Sequence, residues 1–423
     1  MTTQVSQKWN ETTLGDICDQ VPGIIQTGPF GSQLHESDYS QDGIPVVMPK
    51  DIIDGKIETN GIARVSNEHV IRLQKHKLKA GDIVYGRRGD IGRQALVRTE
   101  QDGWLCGTGC LRISLSDKII NPKFLHYYLR DEATIKWISN QAIGATMPNL
   151  NTAILRSVPI RIPNISVQQR IASVLSIYDD LNENNIRRIR ILEQMAQVIY
   201  TEWFVNFRFP DYEKIKSVNN KIGRLGIPEG WEYKNLTETQ IFKFCKNRIK
   251  PFSGEKLYLD TSSVDGINIS KEPILVTLED IPSRAQFQPT ENSIWFARMS
   301  NTYKVLVFTK NCSFEIENYI LSSGMLGIET EEKYLGFLFF TINSSNFHQL
   351  KDQHATGSTQ VSLTNEGFQK IKVIIPPIGL IQKYSEVVST FIDQILLLQK
   401  MNQRLKNSRD LLISKLVTGE IKI

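Results

Sequence analysis

The sequence predicts an α/β (α+β) protein built as a tandem repeat, with two mixed globular domains that are each followed by a long helix. Residues 150–204 and 363–417 align with each other without a gap, and both read as amphipathic helices that begin after a proline. Short runs of β-branched and aromatic residues between turn residues precede each segment and are typical of strands. The repeat predicts pseudo-two-fold symmetry, with the two long helices paired as an antiparallel coiled coil.

Length and composition are those of a multidomain globular protein. A chain of 423 residues exceeds what one core usually organises, so two or three domains are expected. The net charge of +5 is compatible with a polyanionic partner, although many enzymes share it. Cysteine usage, the lack of a signal-like start and the lack of a long apolar run predict a reduced, cytoplasmic protein outside the membrane.

The elements recur in the same order in each half. Each domain opens with a tryptophan and a strand, at residues 9–14 and again at 231–236. The later matched strands are 81–87 with 292–298, and 108–113 with 323–328. A helix is expected from Pro122 and from Lys333, followed by a loop, one more strand and the long helix.

These elements divide the chain into two domains and two arms. The predicted bounds are 1–163 for the first domain, 164–206 for the first arm, 207–229 for a linker, 230–376 for the second domain and 377–423 for the second arm. The proline and glycine within 227–231 are typical of a boundary loop.

Each arm carries a mostly apolar seam at alternating spacings of four and three residues. The predicted seam includes Tyr178, Ile189, Leu192 and Ile199 in the first arm, and Phe391, Leu398, Leu405 and Leu412 in the second. Roughly 38 residues at about 1.5 Å each make an arm of about 57 Å, so the arms are expected to bury their seams against each other. Polar seam positions at Asn182, Asn185 and Asn402 either fix the register or mark a loosely packed stretch.

Several local patterns occur in the same order in both halves. They are the tryptophan-led strands, the strand ends Gly86-Arg87 and Ala297-Arg298, the loops 146–151 and 358–364, and the proline-led helices containing 168–171 and 382–384. In this order the chain resembles the specificity subunit of type I restriction-modification systems along essentially its whole length.

The resemblance implies a role in DNA recognition. Each globule would be a target-recognition domain that reads one half of a split, asymmetric DNA sequence, while the helices set the spacing and dock modification subunits. Catalysis would belong to partners, namely two adenine-N6 methyltransferase subunits that use S-adenosylmethionine and restriction subunits that use ATP and Mg²⁺. This chain itself would carry no catalytic residue, metal or cofactor.

The strongest candidates for DNA contact follow the matched central strands. They are Arg87, Arg88 and Arg93 in the first domain, and Arg298, Asn301 and Lys304 in the second. Arginine and lysine bind phosphate, and arginine and asparagine can make bidentate contacts to base edges. Arg87 and Arg298 have an equally good structural interpretation, in which each pairs with a carboxylate at a strand end.

Weaker candidates lie in loops that combine glycine, hydroxyl and amide residues. They are Gly28, Phe30 and Ser32 in one loop, and Thr146, Asn149, Thr359 and Gln360 in the two loops before the last strands. Backbone amides and small hydroxyls suit phosphate contacts, but the same residues also make ordinary turns.

An enzymatic interpretation is less favoured. The only Pro-Pro pair, at 376–377, lacks the Asn or Asp and the aromatic residue of an amino-methyltransferase motif. Residues 210–214 resemble a nuclease motif, but Asp211 and Glu213 sit in the predicted linker, and Cys106 and Cys110 lack partners at zinc-site spacing. Two alternatives remain, a coiled-coil protein-interaction scaffold and, less favoured, a self-contained nuclease.

Overall fold

The computed structural model describes residues 9–142, 149–214, 217–218, 227–358 and 360–423. The chain forms two compact units, one from the described part of Met1–Glu183 together with Asn402–Ile423, and the other from Asn184–Met401. Each unit is a mixture of helix and sheet that includes part of both long helices. The predicted fold class is confirmed.

The described residues of the first unit form three sheets and a small hairpin. Its central sheet has the antiparallel order Ile24–Thr27, Cys110–Ser114, Ile83–Gly86, Gln94–Leu96. A second sheet has the order Leu105–Cys106, Ile44–Val47, Arg64–Val65, Tyr39–Ser40, with a parallel first pair. The other pairs are Asn10–Thr13 with Pro159–Ile162, and Ile52–Ile53 with Lys56–Ile57. The short α-helices are Leu14–Gln20, Asn67–Arg72, Pro122–Tyr128, Glu132–Gln141 and Thr152–Arg156.

The second unit repeats this plan. Its central sheet has the antiparallel order Phe242–Phe244, Met325–Thr330, Ser293–Ala297, Val305–Phe308. The second sheet has the order Ile274–Val276, Lys256–Leu259, Tyr319–Ser322, Ala285–Phe287, with a parallel central pair. Further pairs are Glu232–Asn235 with Lys372–Ile375, Val264–Asp265 with Asn268–Ile269, and Ser217–Val218 with Ile227–Pro228. The short α-helices are Ser313–Asn318, Glu332–Ile342, Ser345–Gln353 and Asn365–Gln369.

The central strands Ile83–Gly86 and Ser293–Ala297 are buried along their whole length. Such strands read as continuous apolar runs because both of their faces are covered. The first strand of the chain is shorter than predicted, since Leu14 begins a helix rather than ending the strand. Thr13 caps that helix by accepting the N–H of Asp16, and the Asp16 side chain returns the bond, which makes a capping box.

The two long helices are Ile165–Tyr200, named arm helix 1, and Ile378–Val417, named arm helix 2. In the first unit, residues 402–417 of arm helix 2 pack antiparallel against the start of arm helix 1, where Ile413 and Leu416 join the core of the first domain. In the second unit, the Tyr384 hydroxyl on arm helix 2 donates to the carbonyl of Ala196 at 3.1 Å.

The structure places the predicted seam residues on the inner faces of the arm helices. Ile189 and Leu398 are buried, and Tyr178, Leu192, Ile199, Phe391, Leu405 and Leu412 are partly buried. The three polar positions Asn182, Asn185 and Asn402 are also buried. None of these residues is mostly exposed to solvent.

The α-helix of arm helix 1 ends before the predicted end of the first arm at residue 206. The α-helix stops at Tyr200, and the next turn, Thr201–Val205, is a wider π-helical turn. Phe204 in this turn is buried, with its ring centroid 4.9 Å from that of Tyr384 and 5.1 Å from that of Phe337. The change of helical period follows from packing Phe204 into an aromatic cluster, which a seam drawn at constant spacing cannot anticipate.

A buried charge cluster fastens the end of arm helix 2 inside the first unit. Arg409 is only 2% exposed and lies 2.5 Å from an oxygen of Asp179, 2.9 Å from Asp410 and 3.1 Å from Asp54. Asp54 also pairs with Arg130 at 2.5 Å. Burial raises the pKa of Asp179, but the attraction of Arg409 and a hydrogen bond from Tyr127 outweigh it, so the net pKa is lowered.

No helix in the described ranges combines the length and apolarity needed to cross a membrane.

Candidate nucleic-acid interface

Three of the predicted loops meet at one end of the central sheet of the first domain. The N–H of Arg87 donates to the carbonyl of Gly109 at 2.7 Å, and the N–H of Leu150 donates to the carbonyl of Arg87 at 2.9 Å. The N–H of Gly28 donates to the carbonyl of Cys110 at 2.9 Å. The sheet therefore brings together segments that are far apart in the sequence.

Arg87 joins two of these segments through its side chain. Its Nε donates at 3.1 Å to both the side-chain oxygen of Asn149 and the carbonyl of Leu150. The side chain is half-buried, and Asn149 is an acceptor in this arrangement. Arg87 thus has structural partners at this strand end, but they are an amide oxygen and a backbone carbonyl rather than the carboxylate considered from the sequence.

Arg88 and Arg93 are both exposed on the turn that follows. Gly89 and Gly92 have φ values of +79° and +112°, which shape the turn in a region that other residues rarely adopt. Arg93 pairs with Asp90 at 2.9 Å, whereas Arg88 forms no ion pair with any residue that the structure describes. Arg88 is thus the cation of this turn that is most available to a phosphate or a base.

The loop that begins at Gly28 combines a packed start with an exposed tip. Gly28 is buried, and a Cβ at this position would lie 2.1 Å from the carbonyl oxygen of Gly107. Phe30 is 56% exposed, and Ser32 is also exposed. The glycine allows two backbones to approach closely, and the phenylalanine projects from the same surface.

The second domain repeats the junction. The N–H of Arg298 donates to the carbonyl of Gly324 at 2.9 Å, and the N–H of Leu363 donates to the carbonyl of Arg298 at 2.8 Å. The Arg298 side chain donates to the carbonyls of Met325 and Leu363 at 3.1 Å and to Asn365 Oδ1 at 3.2 Å. Arg298 and Arg87 are therefore structural counterparts.

The turn after Arg298 exposes Asn301 and fixes Lys304. Asn301 has a φ of +54°, and its N–H donates to Asp352 Oδ1 at 3.1 Å. The Lys304 ammonium is half-buried and donates to the carbonyl of Thr261 at 2.7 Å. Gln360 is exposed on the neighbouring loop, and the predicted Thr146 and Thr359 lie outside the described residues.

The helix Ser345–Gln353 contributes residues that were not predicted. Lys351 and Asp352 both contact the turn that carries Asn301, and the Tyr303 ring lies 4.7 Å from the ring of His348. Burial, with the nearby Lys351 ammonium, lowers the pKa of His348 to about 4. The available signal was helical spacing, since Lys351 follows the buried Phe347 by four residues and so faces inwards.

Of the residues considered for catalysis or metal binding, Asp211 has a local cationic partner, and Cys106 and Cys110 are buried. Asp211 pairs with Lys214 at 2.7 Å in an exposed turn, and this bond lowers the pKa of Asp211. Cys106 and Cys110 are free thiols buried in the core. Among the described residues, His, Cys, Asp and Glu side chains form no group of three that could hold a metal ion.

Comparisons with known proteins agree on one family. The family model for the type I restriction modification DNA specificity domain matches twice, at residues 6–194 and 228–407. The chain is 25% identical to the MjaIX specificity subunit of Methanocaldococcus jannaschii, covering 99% of this chain and 95% of that one. It is 23% identical to the HindI specificity subunit of Haemophilus influenzae, over 98% and 99% of the two chains.

The fold is also similar to that of a solved structure. The type I restriction-modification S subunit from M. genitalium aligns with a TM-score of 0.57 at 16% identity, over 98% of both chains.

Proposed function

Because the chain belongs to the family of type I restriction-modification DNA specificity subunits, we propose that its two domains read the two halves of a split DNA target. The observation that carries this proposal is the repeated junction at Arg87 and Arg298. In each domain the same central strand ends in an arginine that joins two loops, and the following turn projects exposed polar side chains. The turns differ in sequence, so the two half-sites are expected to differ.

The chemistry of the turns suits DNA. Arg88 is an unpaired exposed cation among the described residues, and Asn301 presents an exposed amide. Cations bind phosphate without regard to sequence, and arginine and asparagine form bidentate hydrogen bonds to guanine and adenine edges. Arg87 and Arg298 would act mainly by holding the reading turns in place.

The first test is the salt dependence of DNA binding by the whole chain. If the chain makes six to ten phosphate contacts, its affinity should fall by about 10³- to 10⁵-fold between 50 and 200 mM salt. Fluorescence anisotropy with a labelled duplex measures this slope. A protein-interaction scaffold would show weak binding with a shallow slope, and that result would contradict the proposal.

The second test finds the target itself. Genomic methylation is sequenced in cells that express the chain with its modification subunit, and in cells that lack only this chain. A split motif that depends on the chain is expected.

Arg88→Gln should weaken or relax recognition, whereas Lys118→Gln should not, because Lys118 is exposed beyond Ser114, at the opposite end of the strand from Cys110.

We further propose that arm helix 1 docks a modification subunit. Ile191, Met195 and Val198 are 49%, 47% and 61% exposed and recur at spacings of four and three residues, outside the buried seam. An exposed apolar stripe on a long helix marks a surface for a partner. By the same family relationship, two methyltransferase subunits with S-adenosylmethionine, and restriction subunits with ATP and Mg²⁺, would supply catalysis in the cytoplasm, while this chain supplies specificity.

A further inference from the structure

The turn Met299–Tyr303 in the second domain is held by a buried charge. The side chain of Lys351 is fully buried, and its ammonium donates to the carbonyls of Met299 at 2.9 Å and Thr302 at 2.7 Å. It also lies 3.5 Å from a carboxylate oxygen of Asp352. The lysine thus fastens two backbone positions on either side of Asn301.

Asp352 completes the support from the same helix. One carboxylate oxygen accepts the N–H of Asn301 at 3.1 Å, and the other accepts the Tyr303 hydroxyl at 3.5 Å. Asn301 is held at a φ of +54°, in the left-handed region that costs free energy for a residue other than glycine. The neighbouring loop adds a bond from the N–H of Ser300 to the carbonyl of Val361 at 3.0 Å.

Supporting a surface turn with a buried ammonium group has a cost in free energy. Burying an ammonium carries a desolvation penalty that only good hydrogen bonds offset, and burial lowers the pKa of Lys351 accordingly. The outer side of the turn stays about half exposed, since Met299 is 47% and Tyr303 is 52% exposed. The arrangement fixes the shape of an exposed turn rather than filling a core.

The first domain uses different means at the corresponding place. Its turn contains Gly89 and Gly92, both with positive φ, and an apolar residue, Ile135, lies beneath Gly92. Ile135 belongs to the helix Glu132–Gln141, which occupies the same place in the repeat as Ser345–Gln353. A buried lysine is therefore not a requirement of the fold but belongs to the second domain.

We propose that Lys351 and Asp352 are positioning residues for sequence recognition by the second domain, holding Met299, Asn301 and Tyr303 in the conformation that reads its half-site. This inference rests on the proposed function. It implies that changing a residue outside the DNA surface alters the specificity of one half-site while the other half-site is read as before.

The test compares methylation motifs in cells that express the chain with its modification subunit. Lys351→Met keeps the aliphatic side chain but removes the donor for both carbonyls. We expect discrimination at one half of the split motif to fall by about tenfold or more, with the other half unchanged. Lys310→Met, at an exposed lysine paired with Glu332, is the matched control and should leave both halves unchanged.

A second pair of variants keeps the test decisive if Lys351→Met does not fold. Asp352→Ala removes the acceptor for Asn301 from a partly exposed position and should relax the same half-site. Asn301→Gly keeps the N–H and favours the positive φ but removes the amide, so it should change the same half-site without loosening the turn.

The outcomes separate two claims. A wild-type motif that stays unchanged in Lys351→Met and Asp352→Ala would overturn the positioning role, as would relaxation of both halves together. Absence of any chain-dependent motif in wild-type cells would instead refute the proposed function on which the inference rests.

Discussion

Replacing Arg409 with methionine is expected to loosen the end of arm helix 2 from the first domain. The guanidinium is almost fully buried and lies within 3.1 Å of oxygens of Asp54, Asp179 and Asp410. Methionine retains most of the apolar contact of the side chain but leaves carboxylates without their main cation. The substitution therefore tests the contribution of the charge separately from that of the apolar contacts.

The size of the destabilisation depends on which partners each carboxylate keeps after the substitution. Breaking a buried ion pair from one side costs about 3–5 kcal/mol. Asp54 retains Arg130 and is 34% exposed, and Asp410 is 58% exposed. The main loss therefore falls on Asp179, which is 13% exposed and keeps the Tyr127 hydroxyl and the attraction of the nearby Arg130. The lower end, about 3 kcal/mol, is expected, which corresponds to an opening equilibrium roughly 100-fold larger.

Amide hydrogen exchange at pH 7 measures this opening locally. Exchange in residues 402–417 should accelerate roughly 100-fold in Arg409→Met, and Lys415→Met, at an exposed position of the same helix, should match wild type. Arg409→Met with Asp179→Asn should recover part of the loss, because the carboxylate left unpaired is then neutral. Unchanged exchange in Arg409→Met would refute the reasoning.

The pH dependence gives an independent check. The pKa values of Asp54 and Asp179 are lowered in the folded protein, since burial raises them but nearby cations lower them more. Such groups stabilise the fold above their unfolded pKa of about 3.9, and the stabilisation is lost as the pH falls through the folded pKa. The difference between wild type and Arg409→Met should therefore shrink in acid.

Three further predictions concern other parts of the molecule. Gly28→Ala should destabilise the first domain by about 1–3 kcal/mol in denaturant unfolding, because a Cβ would lie 2.1 Å from the carbonyl oxygen of Gly107. Gly31 has open space around it, so Gly31→Ala should leave the stability unchanged. Equal stabilities of the two variants would contradict this prediction. The pKa of His348 is about 4 in the folded protein and about 6.5 in the unfolded chain, so the unfolded chain takes up a proton at a higher pH. About 3 kcal/mol of folding free energy should therefore be present above pH 6.5 and be lost as the pH falls towards 4. His348→Gln should flatten this pH dependence of the unfolding free energy, and a retained dependence would assign it to other groups. The double variant Ile191→Glu, Met195→Glu should no longer co-purify with the modification subunit but should still bind DNA. Arg190→Glu, on the same helix, is the control. Loss of DNA binding in the double variant would contradict a purely docking role.

The elements with local signals could be predicted from the sequence. The arm helices follow from a repeating apolar seam, and the central strands from short apolar runs between turns. The errors lie at ends, where other forces decide. Thr13 caps a helix that begins at Leu14, a residue assigned to the first strand in the sequence prediction. Phe204 packs into an aromatic cluster, and its turn is π-helical rather than α-helical.

The site could be predicted only in part, because its contacts are distant in sequence. The exposed arginines and Asn301 were identified from a turn after a strand. Arg87 and Arg298 each donate to at least one acceptor more than sixty residues away, and Lys351 donates to carbonyls about fifty residues earlier in the chain. Helical spacing indicates that Lys351 faces inwards, but nothing local indicates which carbonyls it meets.

The first domain is completed by the last part of the chain. Ile413, Leu416 and Val417 belong to its core, and Gly419 packs against the ring of Trp9. During synthesis at about 5–20 residues per second, residues up to 183 must wait roughly 10–40 s before residues 402–423 are made. The second unit uses only residues 184–401, so all of its residues are synthesised before the last segment of the first unit, although the first unit begins earlier in the sequence.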